Sequence, residues 1–593
     1  MAYEYEFMDK KVHLDVDEDL VAIRFKEPAL HSTRATASAS AGLGAFQDRI
    51  EIPNEKFTII PVAQTAEPRL HRHSSAMKAL KSDKEVTRAT PVFKVGEQSV
   101  VATDRVLVGF KEKSTKVEDI LKSLNCEIVE KRDNEYLIRL PEDACPFETA
   151  KKLAAMKEVE YAEPDFVTIG KHIAQFASNH APQTGPTVAS DPLLAQQYAS
   201  QITKAVDAWN IQIGDPSIKI AVLDEGVDTL HEDLGPAIVG AYDGIDNDTF
   251  QEPNPWDAHG TACSGLAAAI PNNNKGVRGI GGGCSLLAVR IARSESNGGN
   301  WVTSNSIIAR SIDWAWQNNA SILSNSWGGG SPSTAIVNAF ERARKQGRGG
   351  KGCVIIIAAG NESGSVSFPG NLPNVLTVSA SNERDQFKTK TSSDGENWWG
   401  SNFGPEVDIA APGVHNITTD ISGSNGYSQT DYISTFNGTS SATPIVAGAI
   451  GLVLSSNKNL TESEARAIIT ETADKVGSLP YIGGRNDQFG YGRLNVLKAV
   501  QKALNTNSQA PLQGTIKQFG TGASKGAAFF LQTASQESYL LRRYTGEEGT
   551  SSAILETQSL AYLAQFAGSK RTVTYARKQD TPSGTILWGV TIS

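Results

Sequence analysis

Cysteine is scarce in this chain of 593 residues, with five copies at positions 126, 145, 263, 284 and 353. The number is odd and Cys-x-x-Cys spacing is missing, so neither a disulfide framework nor a zinc site is predicted. No apolar run approaches the roughly 18 residues that span a bilayer as a helix. Residues 1–9 have neither the basic nor the apolar stretch of a signal peptide. These absences predict a cytoplasmic protein that makes no membrane contact, with other routes of export left open.

A basic excess is also missing, because 65 Asp and Glu outnumber 56 Lys and Arg and the net charge is −9. This balance argues against nucleic acid as a partner. Hydrophobic residues make up 39% of the chain and glycine occurs 53 times, which is typical of a globular, loop-rich protein. The length predicts about three or four domains.

Local patterns divide the chain into segments of different character, namely 1–100, 101–170, 171–190, 191–505 and 506–593. The first is an extension that is partly β and has no evident role. The second follows a strand and helix order of βαββαβ, the ferredoxin-like arrangement, which by itself implies no function. The third is rich in Gly, Pro, Ser, Thr and Gln and is typical of a linker. The last is predicted to be a small β domain.

The segment 191–505 alternates short apolar strands with helical stretches. Residues 219–223 and 354–358 are examples of the strands, and residues 307–317 and 334–346 of the helices. Short strands of this kind, separated by helices, predict an α/β fold with a mostly parallel sheet flanked by helices.

Ser440 stands in a short polar motif, residues 437–444, that precedes the apolar stretch 445–454. A helix that is apolar on all sides is buried, and the N–H groups at its start favour developing negative charge. Gly438 permits a sharp turn just before it. Taken alone, the motif fits a Ser/Thr cap equally well.

Two further motifs supply the partners that a reactive serine needs. Asp224 ends the apolar strand 219–223, and catalytic groups of parallel α/β sheets gather at such ends. His259 opens another helix of small residues. Either residue alone is more often structural. Together with Ser440 they offer a nucleophile, a base to take its proton and a carboxylate to orient that base.

The chain order Asp, His, Ser is that of subtilisin, and residues 185–505 resemble the subtilisin-like serine proteases. The resemblance implies Asp224 as orienting residue, His259 as general base and acid, and Ser440 as nucleophile. It also implies that Asn361, in Ala-Ala-Gly-Asn, donates to the oxyanion. Ser441 departs from the Met or Ala common in the family, which implies tuning of the activity rather than its loss.

Substrate-binding residues also follow from the resemblance. An edge segment that pairs with extended substrates is matched by Ser326, Trp327 and Gly328. These residues, the run 348–352 and Cys263 are similar to the kexin/furin branch.

In that branch, Glu225 would contact a basic side chain, and Asp257 and Glu362 could add negative charge. The acidic S1 residues of kexins have no match at 330–331 or 368–370. Cleavage after Arg or Lys is therefore a hypothesis.

Calcium prefers clustered oxygen ligands, and the resemblance implies two sites of that kind. The first would use Asp191, Asp233, Ile270, Asn273, Lys275 and Val277. The second, similar to a kexin site in spacing, would use Asp243, Asp246, Asp248 and Glu252. In each case the alternative is a solvated acidic loop.

The segment 101–170 resembles the inhibitory propeptide of subtilisin-like zymogens, most closely at residues 159–165. This implies that it docks on the catalytic domain and that self-cleavage falls within 168–190, with Lys171 a candidate. The chain is thus predicted to be a calcium-dependent endopeptidase made as a latent precursor, similar to intracellular bacterial proteases. A catalytically silent peptide-binding protein is the alternative. An α/β-hydrolase esterase is disfavoured because residues 438–442 are not Gly-x-Ser-x-Gly.

Overall fold

The computed structural model describes residues 3–27, 30–111, 117–173, 175 and 191–506, and beyond residue 506 only the strands of a further sheet. The predicted linker 171–190 therefore lies mostly outside the described residues.

The first 170 residues fold into strands and four helices. The strands are β1 Glu4–Phe7, β2 Lys10–His13, β3 Asp15–Phe25, β4 Ile50–Ile52, β5 Phe57–Pro61, β6 Val86–Val95, β7 Gln98–Phe110, β8 Glu127–Arg132, β9 Glu135–Arg139 and β10 Val159–Gly170. The helices are α1 His31–Ser40, α2 Arg69–Ser82, α3 Val117–Ser123 and α4 Pro146–Ala154.

The order from β7 to β10 is βαββαβ, with β10, β7, β9 and β8 adjacent in one antiparallel sheet. The same sheet continues through β6 and β3 to β5 and β4. The boundary predicted at residue 100 falls inside β7, so the extension and the βαββαβ unit share a sheet. Local patterns missed this because the alternation of buried and exposed side chains does not identify which strands pair.

The segment 191–506 contains the following elements. The strands are β11 Lys219–Asp224, β12 Ile238–Asp243, β13 Ser285–Arg290, β14 Arg293–Ser294, β15 Trp301–Ser304, β16 Ile322–Asn325, β17 Val354–Ala358, β18 Leu376–Ser381, β19 Ile409–Pro412, β20 Asn416–Thr419 and β21 Tyr432–Phe436. The helices are α5 Tyr198–Ile202, α6 Ala205–Ala208, α7 His259–Ala268, α8 Asn305–Gln317, α9 Thr334–Gly350, α10 Thr439–Ser456, α11 Glu462–Glu471 and α12 Val496–Thr506.

Seven of these strands form a parallel sheet in the order β12-β13-β11-β16-β17-β18-β19. Helices α7, α10 and α12 pack on one face and α8 and α9 on the other, so strands and helices share two apolar cores. By length and composition alone, helix α10 could cross a bilayer, but 94% of it is buried inside the protein. It is the central helix of the larger core.

The βαββαβ unit of residues 101–170, called the inhibitor-like unit below, docks on the segment 191–506 through its last strand. β10 pairs antiparallel with β15, from Val167 opposite Ser304 to Gly170 opposite Trp301. The inhibitor-like unit therefore extends a β edge of the segment 191–506.

Two buried carboxylates of β10 bind the N-termini of two helices. Glu163 accepts hydrogen bonds from Ser333 Oγ at 2.5 Å and from the Thr334 backbone N–H at 2.8 Å, at the start of α9. Asp165 accepts from Ser306 N–H at 3.0 Å, at the start of α8, and from Arg105 at 2.8 Å. The first N–H groups of a helix have no partner within the helix, so the hydrogen bonds that satisfy them here favour docking.

Beyond residue 506 the strands form a seven-stranded sheet in the order β26-β27-β24-β23-β22-β25-β28. The strands are β22 Leu512–Phe519, β23 Ala528–Thr533, β24 Ser538–Arg542, β25 Lys570–Thr574, β26 Arg577–Thr581, β27 Gly584–Trp588 and β28 Thr591–Ile592.

Docking should weaken as the pH rises, because of Glu163. Burial raises the pKa of this carboxyl to about 7 against an ordinary 4.5, and the Ser333 hydrogen bond offsets only part of that rise. Because its pKa is raised in the folded chain, Glu163 makes its full contribution to the free energy of unfolding below about pH 4.5. This contribution is lost as the pH rises through about 7. That contribution is about 3 kcal/mol at most.

The expected result is a lower Tm of the full chain at pH 8 than at pH 5, with a smaller difference for Glu163→Gln, measured by calorimetry. Glu160→Gln, at an exposed position of the same strand, is the control and should behave as wild type. An unchanged pH dependence in Glu163→Gln would contradict the assignment.

Candidate active site

Asp224 and His259 meet where a strand of the parallel sheet ends. Asp224 is the last residue of β11, and His259 is the first residue of α7. Helix α7 approaches the strand closely at Gly260, where an added Cβ would lie 2.2 Å from the Gly226 carbonyl oxygen and 3.0 Å from Asp224 Cβ. The small residue after the histidine therefore permits the contact between the two functional side chains.

The contact itself is a hydrogen bond from the ring of His259 to the carboxylate of Asp224. Nδ1 lies 2.8 Å from Oδ1 and 3.0 Å from Oδ2. Asp224 is 4% exposed and His259 is 7% exposed. A carboxylate on Nδ1 holds the imidazole in the tautomer whose Nε2 can accept a proton.

Ser440 enters the same cleft from the first turn of α10. Gly438, just before the helix, has φ of +112°, a conformation that side chains with a Cβ rarely adopt. Within the described residues the Ser440 hydroxyl donates to the carbonyl of Ser326 at 3.0 Å rather than to His259. Catalytic hydrogen bonds are often long or poorly aligned before substrate binds and tighten only in the complex.

A proline shapes the start of this helix. Pro444 has no N–H, so the Ser440 carbonyl, four residues earlier, has no partner from the helix at that position. It accepts instead from Ser326 Oγ at 2.9 Å and from Cys263 Sγ at 3.5 Å. These contacts join α10 to α7 and to the segment after β16. Burial raises the pKa of the Cys263 thiol, which favours its protonated, donating form.

Asn361 lies on the same cleft as Ser440. Its Oδ1 accepts from the Thr439 backbone N–H at 2.9 Å and from Thr439 Oγ1 at 3.1 Å. The oxygen end of the amide is thus held by the residue next to Ser440, which leaves Nδ2 as a donor.

The chain's own residues 171–173 and 175 line this cleft, which has a volume of ≈ 410 Å³. The His172 ring stacks on that of His259, with centroids 5.2 Å apart and planes at 28°. Gln175 Oε1 accepts from Asn437 N–H at 2.9 Å, and Gln175 Nε2 donates to Asn437 O at 3.3 Å. Lys171 is among the lining residues, while residues 174 and 176–190 of the predicted cleavage window lie outside the described residues.

The three predicted acidic substrate contacts have different surroundings. Glu225 is buried and its Oε1 lies 2.8 Å from His172 Nε2. Burial lowers the pKa of His172, but the charge of Glu225 and its hydrogen bond raise it more, so that the net shift is upward. Asp257 accepts from Ser294 N–H at 3.0 Å, and burial followed by the charge of Glu225 raises its pKa to about 7. Glu362 is exposed and accepts from Asn361 N–H at 2.8 Å.

The edge segment predicted to pair with extended substrates, residues 326–328, is not the strand that pairs with β10. Ser326, Trp327 and Gly328 line the cleft, and the Gly328 carbonyl accepts from Gln98 Nε2 at 2.7 Å. Strand addition within the described residues occurs instead at β15, which pairs with β10.

The residues of the first predicted calcium site come together around one loop. Asp191 accepts from the N–H groups of residues 272 and 273, at 3.0 and 3.2 Å. Asp233 accepts from Asn273 Nδ2 at 2.7 Å and Val277 N–H at 2.9 Å, and its backbone oxygen accepts from Ile270 N–H. Lys275 N–H donates to Asn273 Oδ1 at 2.9 Å.

Both of these carboxylates are buried, and the charge of Asp191, after burial itself, raises the pKa of Asp233. Two buried anions close together suit a divalent cation.

The four residues of the second predicted calcium site do not come together in this structure. No three of its four carboxylates converge on one point among the described residues. Asp243 faces Arg290 at 3.4 Å, and Asp246 faces Arg293 at 3.5 Å. Asp248 accepts from Phe250 N–H at 2.8 Å, and Glu252 is hydrogen-bonded to Thr229. Each carboxylate has a partner of its own, a fact that spacing in the sequence does not reveal.

The Subtilase family model matches residues 215–492, and the fervidolysin N-terminal prodomain model matches residues 87–165. Thermitase from Thermoactinomyces vulgaris is 35% identical over 314 residues, which are 53% of this chain and 99% of thermitase. The chain belongs to the subtilase family. The predicted family, the α/β fold and the activity of a serine endopeptidase are thereby confirmed.

Other relatives resemble more of this subtilase. The calcium-dependent protease of Nostoc sp. is 29% identical over 553 residues, 84% of this chain and 79% of the relative. The crystal structure of fervidolysin from Fervidobacterium pennivorans has a TM-score of 0.54 and 21% identity, covering 74% of this chain and 68% of fervidolysin. At that identity the likeness shows a shared fold.

Sequence reasoning missed several residues of the subtilase cleft, and one residue that contacts the segment before Ser440. Strand β15, His172 and Gln175 lie in stretches that resemble ordinary loops, and Glu396 stands in a polar loop without a motif. The only available signal was the position of residues 171–175 directly after the inhibitor-like unit.

Proposed function

We propose that this subtilase is a calcium-dependent serine endopeptidase made as a self-inhibited zymogen, with Asp224, His259 and Ser440 as its catalytic triad. The observation that carries the proposal is the buried hydrogen bond of 2.8 Å between His259 Nδ1 and Asp224 Oδ1, on the cleft that Ser440 lines.

The reaction begins when Ser440 Oγ attacks the peptide carbonyl and His259 Nε2 takes its proton. Asp224 stabilises the imidazolium that forms. Asn361 Nδ2 donates to the tetrahedral oxyanion, a contribution of about 3 kcal/mol in subtilisin. His259 then protonates the leaving amine as the C–N bond breaks, which leaves an acyl-enzyme on Ser440. Water, deprotonated by His259, attacks the acyl carbon, and the serine regains its proton as the product acid leaves.

Self-inhibition is supported by the contacts of the inhibitor-like unit. Strand β10 pairs with β15, and His172 covers His259. A substrate cannot place a side chain on the ring while His172 lies there. We propose that cleavage within 168–190 removes this block, with Lys171 a candidate site. Protein and peptide substrates and the chain's own propeptide are the proposed partners, in the cytoplasm.

Replacing the nucleophile should abolish both peptide hydrolysis and self-cleavage of the chain. In Ser440→Ala, peptide hydrolysis should fall by about a million-fold, as in subtilisin without its nucleophile, and the chain should stay uncut. Peptide assays, N-terminal sequencing and fluorophosphonate labelling provide the measurements. Ser455→Ala, near the far end of the same helix, is the control. A Ser440→Ala chain that still cuts itself, or a wild-type chain that hydrolyses no peptide, would refute the proposal and favour a silent peptide-binding protein.

Cleavage after Arg or Lys is proposed from the buried acid Glu225 and its neighbour Asp257. Glu225 lies 2.8 Å from the ring of the chain's own His172 and raises the pKa of that ring, which is the kind of contact that a basic substrate would replace.

In a peptide series that varies the two positions before the scissile bond, basic residues should raise kcat/KM. Glu225→Gln should reduce that preference about tenfold or more, because a buried charge pair is lost. Glu295→Gln, an exposed acid, is the control. A dominant aromatic or aliphatic preference directly before the cut would overturn this specificity.

Calcium is proposed to bind Asp191, Asp233, Asn273 and the loop 270–277, where it would neutralise two buried carboxylates and hold the loop. Relatives named calcium-dependent proteases support this assignment.

A chelator should lower the Tm by about 5 °C, and calcium should restore it, because a ligand that binds only the folded state stabilises it. Asp233→Asn should remove the response. Asp246→Asn, which changes a carboxylate that faces Arg293, should keep it. An equal Tm with and without chelator would contradict calcium binding.

A further inference from the structure

Glu396 lies in the long loop between β18 and β19 and is 4% exposed. Its carboxylate binds three donors: Asn437 Nδ2 at 2.8 Å, Trp399 Nε1 at 2.6 Å and His415 Nε2 at 3.1 Å. The hydrogen bond to Glu396 is the main reason why the pKa of His415 is raised. None of the proposed catalytic steps uses this buried acid.

Asn437 connects the acid to the catalytic serine, because it comes three residues before Ser440. Its side chain is held at both ends. Oδ1 accepts from His415 N–H at 2.7 Å, and Nδ2 also donates to the Thr435 carbonyl at 2.9 Å. Its backbone N–H and carbonyl are the groups that bind Gln175 in the cleft. The orientation of Asn437 therefore affects both the start of α10 and a contact with the bound chain.

The loop that carries Glu396 is itself anchored. The ammonium group of Lys388 is fully buried and donates to the Glu396 carbonyl at 2.7 Å, the Thr389 carbonyl at 2.8 Å and Asp394 Oδ1 at 3.0 Å. A buried ion pair with several hydrogen bonds holds its groups in one geometry. Glu396 is thus fixed from its own loop, independently of Asn437.

We propose that Glu396 is a positioning residue for the proteolytic reaction: through the Asn437 amide it holds residues 437–440 so that the Ser440 hydroxyl faces the substrate carbonyl. The inference rests on the proposed function. Because Glu396 reaches no substrate atom, its effect falls on the geometry of the nucleophile and hence on kcat more than on KM.

The test uses the full chain after self-processing in calcium, with active sites counted by fluorophosphonate. Glu396→Gln replaces one oxygen by an NH₂ group, so at least one of the three donors loses its acceptor. We expect kcat per active site to fall about 10-fold to 100-fold, with KM within about twofold of wild type. Glu406→Gln, a partly exposed acid nearer β19 on the same loop, is the control and should keep both constants.

A double-mutant cycle with Asn437→Ala separates positioning from general destabilisation. If Glu396 acts through Asn437, the double variant should lose no more kcat than Asn437→Ala alone. Asn437→Ala changes no residue of the loop 388–399. If Glu396→Gln fails to fold, the inference therefore still requires that Asn437→Ala lower kcat.

Additive losses, or an unchanged kcat in either single variant, would overturn the inference while wild type stays active. A wild-type chain that hydrolyses no peptide would refute the proposed function, and this inference with it.

Discussion

The hydrogen bond between the carboxylate of Asp224 and the ring of His259 is the contact on which the rest of the site depends. It exists because a parallel sheet places the carboxyl end of β11 beside the first turn of α7. Gly260 lets the helix come close enough. Burial of both groups keeps water from competing for the hydrogen bond, which strengthens it in the protein interior.

The inhibitor-like unit uses the same architecture from outside. Helices α8 and α9 pack on the face of the parallel sheet opposite to α10. Their N-termini receive Asp165 and Glu163 of one strand, and that strand also pairs with β15. Backbone pairing and two side-chain contacts at helix N-termini therefore act together, and the chain that leaves the strand is directed over His259. Strands β3 to β6 of the extension before residue 100 belong to the same sheet as β10 and support it, while β1 and β2 form a two-stranded sheet of their own.

Polar groups with buried partners determine how well the cleft is held. Glu396 shares its carboxylate among three donors, and the Ser440 carbonyl, left without a helical partner by Pro444, binds Ser326 and Cys263. A buried acceptor without a partner costs about 1–3 kcal/mol. Replacing one of these partners should therefore be enough to disturb the position of Ser440, although some of them lie far from it in the sequence.

The sequence alone determined the family, the residues proposed as catalytic groups and the βαββαβ order. Short motifs such as the one around Ser440 combine a glycine turn, a reactive side chain and an apolar helix, and these are local properties. Tertiary structure alone decided which strand the inhibitor-like unit pairs with, where Glu396 points, and that Asp243 faces an arginine. Strand partners and the pairing of charges depend on groups far apart along the chain, which local patterns do not specify.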